Sequence, residues 1–449
     1  MPKKTLEMEV INPKAAGIDV GSRSHFVAIG QSDQEVKEFG VCQEDLEDLV
    51  EYLKSHDIET VALESTGTYW QNLHALLIAS GFDVILCNGK FTKNIQGKKT
   101  DVKDCQWIQK LHTLGLLNTS FLPSEDTEIL RTYCRHRMTL IERAASCSNK
   151  MQKYLKLLNL RLDVVVSDVC GKTGMEIIRA ICQGENNAQV LASYRDPRCK
   201  ASEVEIAKAL KGNNRSDYLF GLSQELDIYD TLQSQIRACD QKIIGQITRT
   251  IDKNDGKKEH VLEKKTRKKV NKNAIKGIDM DKASYQMFEG VDLLEIEGVS
   301  HATVLTLMSE LGIEGIQKFN SAKQFSSWLR LSPNNKISGG KVLSSRIPKG
   351  SNRTKIALRN AANSIGNLKK DTPLKLFFAK ISFRKGRAAA ISATARKLAV
   401  IIWNMVTKST PYQKDLGIVD IKKQQEKLIK RIRKQMKNYN IRPIDLKPL

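Results

Sequence analysis

The sequence contains no apolar run approaching the roughly 20 residues that a membrane-spanning helix needs, so a membrane-embedded channel or carrier is not expected. The amino-terminal Met1-Pro2-Lys3-Lys4 is not followed by the apolar stretch of a secretory signal. Its nine cysteines include no C-x-x-C pair and no Cys/His cluster, which argues against a zinc module or a disulfide scaffold and for reduced thiols in a cytosolic protein. The seven histidines are dispersed. Cys170-Gly171-Lys172-Thr173 has the tail of a phosphate-binding loop, but Val166 stands where the first glycine of that loop belongs, so ATP hydrolysis is unsupported. Neither H-E-x-x-H nor G-x-S-x-G occurs. Negative charge is also scarce: 50 Asp and Glu face 73 Lys and Arg, a net charge of +23. A polyanion is the first partner such a chain implies, nucleic acid before an anionic membrane surface.

The 449 residues suffice for two or three domains with a full core. Residues 14–120 alternate strand and helix patterns. Strands are expected at Ala16–Val20, His25–Gly30, Glu35–Val41, Thr60–Leu63 and Asp83–Cys87, and helices at Asp45–Ser55, Tyr69–Ser80 and from Asp101. The order β-β-β-α-β-α-β-α suits a mixed sheet with flanking helices. Residues 124–160 read as one long helix with a seam of Leu130, Cys134, Ile141, Ala145, Ser148, Leu155 and Leu158. Residues 224–252 repeat the behaviour through Leu226, Tyr229, Leu232, Ile236, Cys239, Ile243 and Ile247, as in a helical hairpin or a dimerising coiled coil. Between them, pieces such as Met175–Ile181 and Glu203–Leu210 suggest an inserted helical module. Lys253–Lys276 holds ten Lys/Arg and three acids and reads as a solvated linker. Residues 291–410 form a second compact, mainly helical region, and Ile421–Tyr439 a basic helix with eight Lys/Arg and one Glu.

Four acids stand where one divalent-metal site could form. Asp19 and Glu64 each end an apolar β-run, where burying an unpaired carboxylate is costly. Asp101 and Asp104 open a helix behind Thr100, a good N-cap, and their spacing puts both on one helix face. Acids in a first turn are also favoured by the helix dipole, so structure alone would explain that pair. A shared Mg²⁺, which prefers oxygen ligands, would serve all four, and metal-assisted chemistry on a phosphodiester is the reaction class implied.

Two further motifs each leave two readings open. Leu294–Thr303, before an apolar helix, is either the hairpin of a helix-hairpin-helix phosphate site, with Ser300 where a second glycine is expected, or a plain turn between helices. Lys336-Ile337-Ser338-Gly339-Gly340-Lys341, followed by Arg346, Lys349, Arg353 and Lys355, is either an accessible serine ringed by cations that stabilise developing negative charge, or an ordinary Ser/Gly loop. Lys336, Lys341, Arg346, Lys349, Arg353 and Lys355 are the candidate nucleic-acid contacts.

Taken in order, Gly17-Ile18-Asp19-Val20, Leu63–Trp70 and Lys99–Asp104 resemble the amino-terminal half of insertion-sequence-110-type transposases. Glu297–Ser300, Ser338-Gly339-Gly340, Lys349–Arg353 and Ala395–Ala399 resemble their second domain. The resemblance, which does not extend to 161–290 or to the tail, implies a RuvC-like (RNase H-type) α/β domain with a D-E-D-D metal site, joined by a coiled coil to a transposase domain with a nucleophilic serine. With the residue patterns, the expected division is the RuvC-like domain at 1–123, a coiled-coil and inserted helical region with a basic linker at 124–290, the mainly helical transposase domain at 291–410 and a basic tail at 411–449. Asp19, Glu64, Asp101 and Asp104 would be the metal acids, for Mg²⁺ or Mn²⁺, and Ser338 the nucleophile. Ile337 stands where the family often has another serine, which supports Ser338 over its neighbour. The family further implies a cytoplasmic, nucleoid-associated recombinase acting on element ends and target DNA, guided by a bridge RNA and assembled as a dimer of dimers. The competing readings are a RuvC-like junction nuclease that activates water, with Ser338 only structural, and a non-catalytic nucleic-acid-binding protein.

Overall fold

The computed structural model describes residues 9–30, 35–65, 67–89, 100–254, 262, 270–350, 352–414 and 421–438. The chain divides into two compact units, Met1–Leu122 and Pro123–Leu449.

The first unit is built on a five-stranded mixed sheet. Its strands are β1 (Ala15–Val20), β2 (His25–Ile29), β3 (Glu35–Phe39), β4 (Thr60–Glu64) and β5 (Asp83–Cys87), in the order β3-β2-β1-β4-β5. β1, β2 and β3 pair antiparallel, whereas β1, β4 and β5 run parallel. The helices are α1 (Gln43–Ser55), α2 (Trp70–Ala79) and α3 (Asp101–Thr113). Strand alternation sorts the layers. Ile18, Val20, Val27, Val61 and Leu63 enter one core with Leu46, Leu49 and Leu53 of α1 and with Leu73 and Leu77 of α2. The opposite face, with Gly17, Asp19, Ala62 and Glu64, receives α3, which touches β1, β2 and β4. Thr100 is the expected N-cap, its Oγ1 accepting from the Lys103 amide at 3.3 Å.

The second unit is helical. Long helices α4 (Glu125–Leu157) and α9 (Ser216–Asn254) enclose α5 (Leu162–Val165), α6 (Lys172–Cys182), α7 (Ala188–Ser193) and α8 (Glu203–Ala209). α4 and α9 run antiparallel along one another: Asp126 meets Gln246 and Lys253, Arg137 meets Asp240, and Lys150 meets Glu225. The two arms therefore face each other within one chain. α9 begins eight residues before the expected start of its pattern, and Leu226, Tyr229, Leu232, Ile236, Ile243 and Ile247 are buried as expected. The α4 seam is corrected in its middle; its ends, Leu130, Leu155 and Leu158, are buried as expected. Leu140, Ala144, Cys147 and Met151 are buried, while Ala145 is exposed and Ile141 and Ser148 are only partly covered. Neighbouring apolar pairs, Leu140-Ile141 and Ala144-Ala145, let the pattern be phased either way, and the partner helix chooses. The short helices share the core of the hairpin's distal end through Leu162, Ile177, Ile178, Leu191 and Ile206. The Lys172-Thr173 motif belongs here: Thr173 Oγ1 accepts from the Asp196 amide at 2.9 Å, a structural bond.

Beyond the hairpin come α10 (Met280–Met287), α11 (His301–Glu310), α12 (Gly312–Gln317), α13 (Ala322–Trp328), the ribbon β6 (Lys336–Ser338) and β7 (Lys341–Ser344), α14 (Arg353–Gly366), α15 (Pro373–Lys385), α16 (Arg387–Lys408) and α17 (Ile421–Asn438). The 22 residues of α16 are long and apolar enough to pass as a membrane span by length and composition, although Arg396 and Lys397 interrupt its apolar run. Its apolar character has a local use: Ala390, Ala395, Leu398, Ala399, Ile402 and Val406 are buried, and α16 packs against α13, α14 and α15. Most of the basic linker, residues 255–261 and 263–269, lies outside the described residues.

Candidate active site and nucleic-acid surface

Asp19 and Glu64 are brought together by sheet register. β1 and β4 pair in parallel from Ala15↔Thr60 through Ile18↔Leu63. One step further sets Asp19 beside Glu64, on strands about 4.8 Å apart and on the same face. Both side chains are partly exposed, as expected at the rim of a sheet.

α3 is fastened over that face by contacts that fix its level. At Gly17 an added Cβ would lie 2.2 Å from the Gln109 amide nitrogen and 2.7 Å from the Cys105 carbonyl oxygen, so only glycine lets the helix backbone approach. Gln109 Nε2 donates to the carbonyls of Gly30 at 2.7 Å and Ala15 at 3.3 Å. His112 Nε2 lies 2.8 Å from Thr60 Oγ1. The carboxyl-terminal half of α3 thus sits over the beginnings of β1 and β4, and its first turn points towards their ends. From the Cys105–Gln109 contact, Asp101 lies about 9 Å back along the helix and Asp104 about half as far. Asp19 lies about 7 Å beyond Gly17 along β1, so the helix acids stand level with it.

The buried thiols register the same convergence. Burial pushes Cys105 up to about 12, and Asp19 and, more weakly, Asp104 add to the rise. Cys87, the register partner of Glu64, is likewise pushed up to about 12 by burial and then by the Glu64 charge. The charges of Asp19 and Asp104 are thus both felt at one thiol, and that of Glu64 at the thiol of its strand neighbour. Asp101, in the same first turn, is exposed. Asp19 and Glu64 share one face and one end of the sheet, and Asp101 and Asp104 belong to the first turn of the helix over that face; four carboxylates there would suit a hard divalent cation. Among the described residues no three His, Cys, Asp or Glu stand as a ready-made ligand cluster, so the acids share a rim and not yet a cage.

Gly89 is a residue that sequence reasoning missed. A Cβ there would lie 2.1 Å from Glu64 Oε1 and 2.7 Å from its Cδ, so the carboxylate rests directly on the Gly89 backbone. Thr66, inside the Leu63–Trp70 motif, and Lys99 lie outside the described residues.

Ser338 belongs to the second unit. It ends β6 opposite Lys341, and Gly339-Gly340 makes the whole turn. Both glycines have positive φ, 54° and 74°, the pattern of a two-residue type I′ hairpin turn. An added Cβ at either would meet nothing, so glycine is there for conformation and not for space. Ser338 is exposed at this tip, with Ile337, Val342 and Leu343 also 60% or more exposed. The base of the ribbon is tied by the Asn334 amide to the Arg346 carbonyl at 3.0 Å.

The cation candidates separate into groups. Lys336, Lys341, Arg346 and Lys349 are exposed around the ribbon. Arg353 leans towards the buried Glu310, at 3.8 Å, where Arg135 makes a two-pronged pair at 2.9 and 2.6 Å. Lys355 is buried, only 5% exposed, and donates to the Gly350 carbonyl at 2.9 Å. The Leu294–Thr303 motif takes the plain-turn form. A short 3₁₀ turn, Leu293–Glu295, separated from α10 by five residues, opens it, Ser300 caps α11 with its own side chain, and Gly298 (φ 77°) is squeezed against the Ala361 carbonyl.

Two family models match this chain: a DEDD-type transposase model of the IS110 group over residues 16–160, and the transposase IS116/IS110/IS902 family over residues 292–375. The chain belongs to the IS110-type transposases. The first match spans the sheet with all four acids, and the second spans Ser338 and the cations around it. No curated protein matches this transposase. The family implies a DNA substrate and a DNA-cleaving and rejoining activity, and its DEDD half suggests dependence on a divalent metal.

Proposed function

We propose that this transposase excises and inserts its own element by cutting and rejoining DNA through a phosphoserine ester on Ser338. In this reading the first unit is a RuvC-like domain, and Asp19, Glu64, Asp101 and Asp104 hold a divalent cation, Mg²⁺ or Mn²⁺. The observation that carries the reading is the parallel register setting Asp19 beside Glu64 under the helix that bears Asp101 and Asp104. When bound, the cation supplies Lewis-acid polarisation of the phosphate and stabilises the leaving oxygen.

The side chains do the remainder. Ser338 Oγ, exposed at a hairpin tip, bonds to phosphorus as the bond to the 3′ oxygen breaks, leaving a Ser–O–P ester and a free 3′-hydroxyl. Attack by a 3′-hydroxyl on that ester reforms a DNA phosphodiester and returns the serine. One ester is exchanged for another, so resealing needs no ATP, in keeping with the missing phosphate-binding loop. Lys336, Lys341, Arg346 and Lys349 neutralise backbone phosphates; such contacts give affinity but read no bases. A bound bridge RNA from the element would supply sequence choice, the protein holding the duplex while pairing reads it. The α4–α9 hairpin is the element suited to oligomer assembly.

The test is a denaturing gel of the transposase after reaction with end-labelled element DNA. A covalent adduct is expected with the wild type, none with Ser338→Ala, and none with Asp19→Ala. Metal-dependent nicks with no adduct would instead establish water as the nucleophile, and neither product would leave only binding.

A further inference from the structure

Beside the ribbon stand three cations that the cleavage chemistry does not use together. Arg330 follows α13 with its backbone in the left-handed region, φ 54°. Its Nη1 donates to the Lys349 carbonyl at 2.9 Å and lies close to Gly350, where a Cβ would come within 1.8 Å of it. Lys355 and Arg359 are one turn apart on α14, hence on one helix face. Lys355 Nζ donates to the Gly350 carbonyl, and Arg359 Nη1 to Ser392 Oγ at 2.7 Å.

Among the described residues no carboxylate pairs with any of the three. Glu310 is bound by Arg135, Arg131 and Arg353. Arg330 and Lys355 hold the carbonyls of adjacent residues and Arg359 lies one turn from Lys355, so the three charges share one locality; in keeping with this, burial, then Arg359, then Arg330, push the Lys355 ammonium below its ordinary range. Holding two loop carbonyls explains the donors but not the charge, since an amide side chain donates as well. Lys355 is buried and Arg330 and Arg359 are half-buried; holding three like charges together without an anion is costly, and a phosphate would remove that cost.

We propose that Arg330, Lys355 and Arg359 form a seat for one backbone phosphate of the DNA strand, beside the limb that leaves the serine ribbon. The seat rests on the reading that the ribbon works on a DNA phosphodiester. It fixes the strand by charge and geometry, and it carries no sequence information.

The experiment uses the full chain, as purified, with Ser338→Ala so that binding is read without cleavage. Element-end DNA is scanned with single methylphosphonate replacements, and affinity is measured by fluorescence anisotropy. One position is expected at which the uncharged linkage weakens binding about tenfold. Arg359→Gln should weaken binding to all-phosphate DNA by a similar factor, become insensitive at that one position, and lower the salt slope by about 1. Arg359→Lys should restore the slope, which a purely structural role would not predict. Lys355→Met, checked for folding by its circular dichroism and thermal melt, should behave like Arg359→Gln. If Arg359→Gln keeps the wild-type sensitivity at every position, or if it becomes insensitive only to replacements in a bound RNA, the DNA seat is overturned. Loss of the seat leaves the adduct test untouched, and absence of an adduct leaves a mapped seat standing.

Discussion

The sharpest test of the acidic rim is Gly89→Ala. The added methyl carbon would lie 2.1 Å from Glu64 Oε1, and ordinary contact begins at 3.4 Å, so the carboxylate must retreat by about 1.3 Å. The three nearest atoms all belong to the carboxyl end of the flexible Glu64 side chain. The fold should therefore survive while the ligand moves. A misplacement of about 1 Å at a reacting centre costs on the order of a hundredfold in rate, or about 2.7 kcal/mol. The assays are element excision from a plasmid, Mn²⁺ binding by electron paramagnetic resonance, and a thermal melt. Excision should fall about a hundredfold, Mn²⁺ affinity should weaken, and the melt should barely move. Gly245→Ala is the control: an added Cβ there meets nothing within 4 Å of mid-helix α9, so excision should persist and the helix gain up to about 1 kcal/mol. Wild-type excision and metal affinity in Gly89→Ala would refute the placement of Glu64 in the metal site.

The other expectations are shorter. Asp19→Ala, Glu64→Ala, Asp101→Ala and Asp104→Ala should each abolish excision with DNA affinity retained in filter binding, because clustered carboxylates repel without a cation; full activity in two of them would sink the four-acid site. Ribonuclease treatment should remove site-specific DNA binding and leave weaker, salt-sensitive binding, and undiminished site choice by RNA-free protein would dismiss the guide. Asp240→Ala removes the partner of Arg137, both 7% exposed, and leaves a buried guanidinium, so urea denaturation should show a loss of about 3–5 kcal/mol. His25 and His112 are buried, and burial lowers both below the ordinary 6.5. Their unfolded forms bind protons first as pH falls, so their contribution is full above pH 6.5 and is lost below it, through the folded values. Denaturation of His25→Leu across pH 4.5–7.5 should show a shallower decline than the wild type.

The first unit was legible because period-2 alternation carries both element type and face. Gly17 and Asp19 differ by two residues, so the residue that admits α3 and the acid beneath it necessarily share a face. The Thr100 cap and the 101/104 spacing then fixed the helix end. Register was not legible: nothing in Ala15–Val20 or Thr60–Glu64 states that position 19 stops beside position 64, because pairing is a long-range choice. Gly89 was silent for the same reason, being defined by what approaches it. In α4 the seam slipped by one residue where doubled apolar pairs left two phasings equally hydrophobic. The ribbon at 336–344 read as a loop because strands this short hold too few residues to show alternation, and because its apolar side chains face out.

That ribbon clarifies how the two candidate sites differ in construction. Asp19 and Glu64 are positioned by the central strands β1 and β4, which are buried on both faces and where a shift would expose the core residues they carry. Ser338 has no such backing. A two-stranded ribbon is marginal by itself, and Ile337, Val342 and Leu343 find no core here. Its aim is set at its root, by Asn334 to Arg346, Arg330 to Lys349 and Lys355 to Gly350. Two of those three tethers come from the cations assigned to a phosphate. A strand seated on Arg330 and Lys355 would then fix the root of the ribbon and its own backbone in one step, coupling the serine's position to the presence of DNA. An Asn334→Pro change, which removes one neutral tether and no charge, should therefore lower the yield of covalent adduct more than it lowers DNA affinity, whereas Arg359→Gln should lower affinity first. If both variants cut affinity and adduct in equal proportion, root and seat are not separate functions.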